Sequence, residues 1–361
     1  MSWPQRIGIA TILLVALGLA GFHVFERQIG EALFERVIAR NIARDPAAEL
    51  PDGLHVYMCG TGSPMPDTDR AGPCIGVLAG DRAFIFDVGS GSIRTLGAMG
   101  FPLRRLDHVY LTHLHSDHFD GLGELLVQAW VGGGRTMPLP ISGPQGTIAT
   151  VAGFNAAYRT DGGYRIAHHG EAVAHPAGYG GAGGEIVLPE GAGSIVVLQE
   201  GELTITAFGV SHDPVESPFG YRIDYRGRSI AISGDTIYDP NLVAASRGVD
   251  ILFHEALQPR MVRAMENGAR IRGAHGIAKI LADIPSYHAT PQDAARAASE
   301  AGARQLVFYH MIPPLASRLV YPMFLDGVRE IFPGPVRIAD DGLLISLLPD
   351  SETIDFDQLL K

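Results

Sequence analysis

Three imidazoles and a carboxylate fall within six consecutive positions in Thr112-His113-Leu114-His115-Ser116-Asp117-His118-Phe119-Asp120-Gly121. Histidines two residues apart, followed by an adjacent Asp-His pair, set two pairs of metal donors on one short turn, enough to serve two neighbouring ions. A catalytic zinc takes roughly three protein ligands and keeps a position for water, so two ions need further donors from elsewhere in the chain. Three strand-like runs each deliver one at the tip: His212 after Leu203–Phe208, Asp235 after Ser229–Ser233 and His310 after Gln305–Tyr309. Strand ends hold short, solvent-facing loops in place, which is where ligands and catalytic groups collect in layered α/β domains. The chemistry implied is two-metal hydrolysis.

Further residues surround this set in a fixed order. They include Gly60-Thr61-Gly62-Ser63-Pro64 with Arg70, Phe86-Asp87-Val88-Gly89-Ser90-Gly91, Gly220-Tyr221-Arg222 after His212, Ser233-Gly234-Asp235-Thr236, His254-Glu255-Ala256, and His288. From about Leu54 to about Pro349 this order resembles the metallo-β-lactamase superfamily, and within it the branch that contains ribonuclease Z and related phosphodiesterases and arylsulfatases. The resemblance implies a four-layer αβ/βα sandwich with the metals along one edge. It implies that His113, His115 and His212 bind a first ion, that Asp117, His118 and His310 bind a second, and that Asp235 bridges them. Two divalent ions, two carboxylates and one bridging hydroxide leave such a site at a charge of about +1, which suits an anionic phosphate or sulfate ester. Zinc is the first expectation for an imidazole-rich set, with manganese or iron as alternatives.

The resemblance also makes the bridging hydroxide the nucleophile, gives His288 the task of protonating the leaving oxygen, and puts His254 and Glu255 behind it as orienting groups. Asp87, at a strand end, is expected to hydrogen-bond a ligand histidine. His168 and His169, in a Gly-rich region, are expected at the surface. Tyr158, Tyr164 and Tyr179 are expected to wall the mouth of the site, beside a mobile loop over residues 170–193.

The chain of 361 residues is 46% hydrophobic and carries a net charge of −11. The first 50 residues hold five basic and five acidic side chains, so the remainder bears 23 against 34 and the whole imbalance. Phosphate contacts to Lys and Arg supply much of nucleic-acid affinity. A chain this acidic is therefore expected to act on a small anionic ester and to leave nucleic acid alone. The rival functions are a lactonase or β-lactamase-type acyl hydrolase, a ribonuclease Z-like RNA endonuclease, and a non-catalytic binding module. Self-association is left open.

Residues Ile7 to Phe25 are interrupted in polarity chiefly by His23, and as a helix they span about 28 Å, near the roughly 30 Å of a hydrocarbon core. The expectation is an uncleaved membrane anchor within 1–45, continued by an amphipathic stretch, then a linker over 46–53 and a hydrolase domain over 54–361. Arg6 on the short N-terminal side favours an extracytoplasmic catalytic domain, periplasmic in a Gram-negative bacterium. A signal peptide cleaved near Gly18-Leu19-Ala20 is the alternative. Cys59 and Cys74 close a first and open a second predicted strand, and an antiparallel pairing would let them form a disulfide.

Overall fold

The computed structural model describes residues 3–42 and 44–360, without the side chains at 16, 17, 19, 20 and 41. The chain forms two units, Met1–Pro46 and Ala47–Lys361. In the first, helix α1 runs unbroken over Trp3–Asn41. Among the described residues no helix is long and apolar enough to cross a membrane, which corrects the expected anchor and removes the ground for the membrane partner and the extracytoplasmic placement built on it. Gly8, Thr11, Gly21 and His23 dilute the apolar stretch, and the same helix continues through Glu26, Arg27 and Glu31, the last two paired at 2.8 Å. The candidate cleavage site at 18–20 falls partly on side chains outside the described residues.

The second unit opens with the stretch expected as a linker. It holds a 3-10 turn over Pro46–Glu49, with Ala47 buried against the domain core. Among the described residues fifteen strands follow: β1 Leu54–Gly60, β2 Cys74–Ala79, β3 Arg82–Phe86, β4 Leu106–Tyr110, β5 Leu139–Gly143, β6 Gly181–Glu185, β7 Ser194–Glu200, β8 Leu203–Gly209, β9 Phe219–Tyr225, β10 Arg228–Ile232, β11 Ile251–Leu257, β12 Gln305–Ile312, β13 Val336–Ile338, β14 Leu343–Leu347 and β15 Asp355–Gln358. They make two mixed sheets, ordered β15-β14-β1-β2-β3-β4-β5-β6 and β13-β12-β11-β10-β9-β8-β7.

Alternation along the strands builds the layers, since successive side chains leave a strand on opposite faces. Leu54, Val56 and Met58 of β1 join Ile205, Tyr221, Phe253 and Val307 of the other sheet in a shared interior. Tyr57 and Cys59 of the same strand face outward onto the helices α2 Ser92–Ala98 and α3 Leu122–Val127. On the far side, Leu252, Leu306 and Phe308 pack on an alanine face of an outer helix over Pro291–Ala301. The result is two sheets face to face with helices outside, as the resemblance implies. The chain's last strands split between the sheets, β13 entering one and β14 the other, which ties the halves together.

Cys59 and Cys74 are joined by a disulfide, with Cα atoms 5.1 Å apart across the β1–β2 pairing. Closing a loop over a sequence separation of 15 restricts the unfolded chain, by about 3 kcal/mol on the loop-entropy model. Thiol titration of the unreduced, denatured protein is expected to find no free thiol. The Cys59→Ser, Cys74→Ser double variant is expected to lose about that much stability in urea titrations.

His108 on β4 is stacked on Tyr110 at 4.4 Å and bonded to Ser142 Oγ at 2.8 Å. Burial depresses its pKa to about 4, with Asp107 opposing. Between about 4 and its ordinary 6.5 the unfolded chain therefore binds the extra proton, and stability rises with pH. On going from pH 7 to pH 5, His108→Gln should lose about 2 kcal/mol less than the parent in denaturant titrations.

Candidate metal centre

The donors sit where strands run out, except His310, which lies within one. β3 ends at Phe86, and the next residue, Asp87, takes a left-handed backbone with φ of 58°. From there its carboxylate accepts hydrogen bonds from the Thr112 amide and hydroxyl and meets His118 Nδ1, all at 2.8 Å. Asp87 thereby staples the loop after β4. That loop ends in a single 3-10 turn over Ser116–His118, which turns Asp117 and His118 to the same side.

Past the end of β8, His212 has its Nδ1 bonded to the Tyr287 carbonyl at 2.7 Å, so Nε2 faces the cluster. After β10, Gly234 adopts φ of 62°, and a Cβ there would meet the Phe219 carbonyl oxygen at 2.6 Å. Only glycine suits the turn that presents Asp235. His310 lies within β12, where the pairing with β11 slips between His254 and Ala256, and its φ is 46°. A bulge re-aims a side chain in this way without ending the strand.

These residues converge in two sets. One donor atom from each of His113, His115, His212 and Asp235 lies within 4.8 Å of the others, and the same holds for Asp117, His118 and His310. Asp235 connects them: its carboxylate is 3.4 Å from His118 Nε2 and from His310 Nε2, 3.9 Å from His113 Nε2 and 4.0 Å from His212 Nε2. His115 Nδ1 stands 3.0 Å from His113 Nε2 and 3.3 Å from His212 Nε2. His118 Nε2 and Asp235 Oδ1 are fully buried with no hydrogen-bond partner. Buried polar atoms almost always have one. Imidazole nitrogens and carboxylate oxygens crowded around two small volumes are the donor set of divalent ions, so the residues fit a metal pair.

Burial drives His113 well below its usual range and lowers His115 and His212, keeping these imidazoles neutral as ligands must be. Burial would push Asp235 up, but His310 and His118 outweigh it and hold the carboxylate ionised. His288 is raised: burial opposes its charge, and Glu255 and Asp235 overcome that.

His288 stands beside the cluster, its Nδ1 3.9 Å from Asp235 and 3.1 Å from Glu255 Oε1. Glu255 Oε1 also accepts from the amides of Ala289 and Thr236. His254 points elsewhere: it is buried, with Nδ1 bonded to the Glu255 carbonyl at 2.7 Å. His168 and His169 end a long helix over Thr147–His169 and are exposed, as expected.

The aromatic wall is not where it was expected. Tyr179 packs edge-on against Trp130 and donates to the Asn155 carbonyl, Tyr158 presses on Gly123, and residues 181–185 of the supposed mobile loop form β6. A cavity of about 1000 Å³ does adjoin the metal-ligating cluster, reaching His115, Asp117, Asp235 and His288, but methionines and isoleucines wall it. Met261, Met265, Ile277 and Ile280 among them come from two helices over Pro259–Ile271 and His275–Asp283. The signal was present as apolar residues at helical spacing, Met261, Ala264 and Met265, then Ile277, Ile280, Leu281 and Ile284.

Residues 94–311 match the family model described as beta-lactamase superfamily domain. The chain belongs to that superfamily and is a metal-dependent hydrolase of it. Within the superfamily it falls in the ribonuclease Z branch. It is 35% identical over 290 residues to a protein named ribonuclease Z from Mycobacterium avium (strain 104), covering 80% of this chain and 96% of the relative. A ribonuclease Z of Mycobacterium sp. (strain KMS) is 35% identical over 289 residues, 80% of this chain and 94% of its own. Among solved structures, human tRNase Z, short form, superposes with a TM-score of 0.55 at 24% identity, over 82% of this chain and 99% of that one. The metallo-β-lactamase fold protein YhfI from Bacillus subtilis gives 0.57 at 21%, over 82% and 100%.

Relatives named as ribonucleases overturn the expectation, drawn from net charge, of a small ester substrate with nucleic acid excluded. Net charge sums the whole surface, whereas phosphate is met locally by metal ions and nearby groups.

Proposed function

We propose that this chain is a two-metal phosphodiesterase that cleaves RNA. The observation that carries the reading is the convergence of seven donors into two sets that share Asp235. The names of relatives 35% identical over four-fifths of the chain support RNA as the substrate. His113, His115 and His212 would hold one ion and Asp117, His118 and His310 the other, with Asp235 able to serve both. Zinc suits the imidazole-rich set best, with manganese or iron as alternatives. Bound there, two divalent ions would lower the pKa of a water toward neutrality and offset charge on the phosphodiester.

The protein's own groups do the rest. Asp87 fixes the His118 ring and the Tyr287 carbonyl fixes His212, so both donors are set before metal arrives. Glu255 engages Nδ1 of His288, leaving Nε2 to protonate the leaving alkoxide. His254 positions Glu255 through its carbonyl, a supporting task rather than contact with substrate.

The test incubates zinc- or manganese-loaded protein with an RNA carrying a 3′ extension, with bis(4-nitrophenyl) phosphate and with 4-nitrophenyl sulfate. RNA cleavage that chelation abolishes is the expected result. Turnover of the sulfate alone, or of acyl substrates alone, defeats the proposal.

A further inference from the structure

The cavity beside the metal-ligating cluster has a lining that RNA chemistry does not use. Its walls include Met65, Met261, Met265, Ile277, Ile280 and Ile284, and among the described residues neither Lys nor Arg lines it. Tyr287 is the aromatic side chain, apart from histidines, along its length. Single-stranded nucleic acid is held by stacking on aromatic faces and by cations along the backbone. A wall of thioethers and branched aliphatics offers neither. Met265, Ile277 and Ile280 are also 41%, 58% and 58% exposed, so the mouth of the cavity is apolar as well as its floor. Its far end is the opposite in character, closed by His115, Ser116, Asp117, Asp235 and His288.

We propose that this cavity binds the hydrocarbon chain of a single-chain amphiphile whose phosphate-bearing head sits at the metal-ligating cluster. Polarity decides the occupant. One end of the site is built of donors for cations, and a phosphate head complements them once they are loaded. The other end gains only from apolar surface removed from water, and adaptable methionine side chains suit a flexible chain. A volume of about 1000 Å³ stands at the upper end of ordinary small-molecule sites, with room for an extended alkyl group. The inference goes beyond the RNA reading and takes from it only the metal-loaded cluster.

The experiment titrates the full-length, metal-loaded protein with hexyl-, octyl- and dodecylphosphocholine below their micellar concentrations, by calorimetry. Affinity is expected to rise about fourfold per added methylene until the cavity is filled. Ile280→Glu, at the mouth, should abolish that dependence, and Ile280→Ala should weaken it. Ile271→Glu, on the same pair of helices, 86% exposed and outside the cavity, should leave it intact. Apolar side chains on α1 would also attract an amphiphile, but that binding is indifferent to Ile280. Metal content and thermal midpoint of each variant control for folding. Absence of saturable binding overturns the proposal, and so does equal chain-length dependence in Ile280→Glu and Ile271→Glu. RNA cleavage is scored separately, so either proposal can fail without the other.

Discussion

Asp235→Ala is expected to strip the protein of its tightly held metal and to lower hydrolysis of bis(4-nitrophenyl) phosphate by on the order of 10³-fold or more, the several kcal/mol that a metal's charge stabilisation supplies. The reason is its place. Among the described residues no other carboxylate pairs with histidines of both donor sets, and its oxygens stand 3.4 Å from His118 and His310 and within 4.0 Å of His113 and His212. On the proposed assignment, removing it would take a ligand from each ion at once. Metal counted by inductively coupled plasma mass spectrometry should fall from two ions per chain to one or none. Asp87→Asn offers the graded comparison. That residue holds the donor His118 from behind, through Nδ1, without being a donor itself, so its loss should cost about 10- to 100-fold, the range for groups that orient a ligand. Equal metal content in Asp235→Ala and the parent would falsify the shared-ligand assignment.

The donors were legible because their spacing is local. His113, His115, Asp117 and His118 reveal themselves within six residues, and His212, Asp235 and His310 each follow an apolar, strand-like run. Which residues face the shared core was not legible, since strands such as β11 and β12 are buried on both faces and read as continuous apolar runs.

Legibility failed where position depends on distant partners. Tyr158 and Tyr179 look like a binding wall by composition, yet Gly123, Trp130 and Asn155 absorb them into packing. The cavity wall lies instead on helices whose apolar faces were readable as amphipathic, without any indication of which cleft they would line. The strained backbone at Asp87 and His310 was likewise invisible, because non-glycine residues at positive φ persist only when tertiary contacts enforce them. Net charge misled about the substrate because it carries no information on where charge sits.

His288 offers the sharpest separation of roles, because its proposed task depends on the leaving group. An alkoxide leaving from ribose needs a proton as the bond to phosphorus breaks, whereas 4-nitrophenolate leaves readily as an anion. His288→Ala is therefore expected to slow RNA cleavage by about 10²- to 10⁴-fold, the usual worth of a positioned acid, while bis(4-nitrophenyl) phosphate turnover falls far less. Metal content should stay at two per chain, since the closest approach of His288 to Asp235 is 3.9 Å through a nitrogen already bonded to Glu255. Glu255→Gln should show the same selectivity at smaller amplitude, because its Oε1 fixes the ring without meeting substrate. If both substrates slow equally in His288→Ala, the residue supports the metal cluster instead, and the leaving-group proton must come from another source.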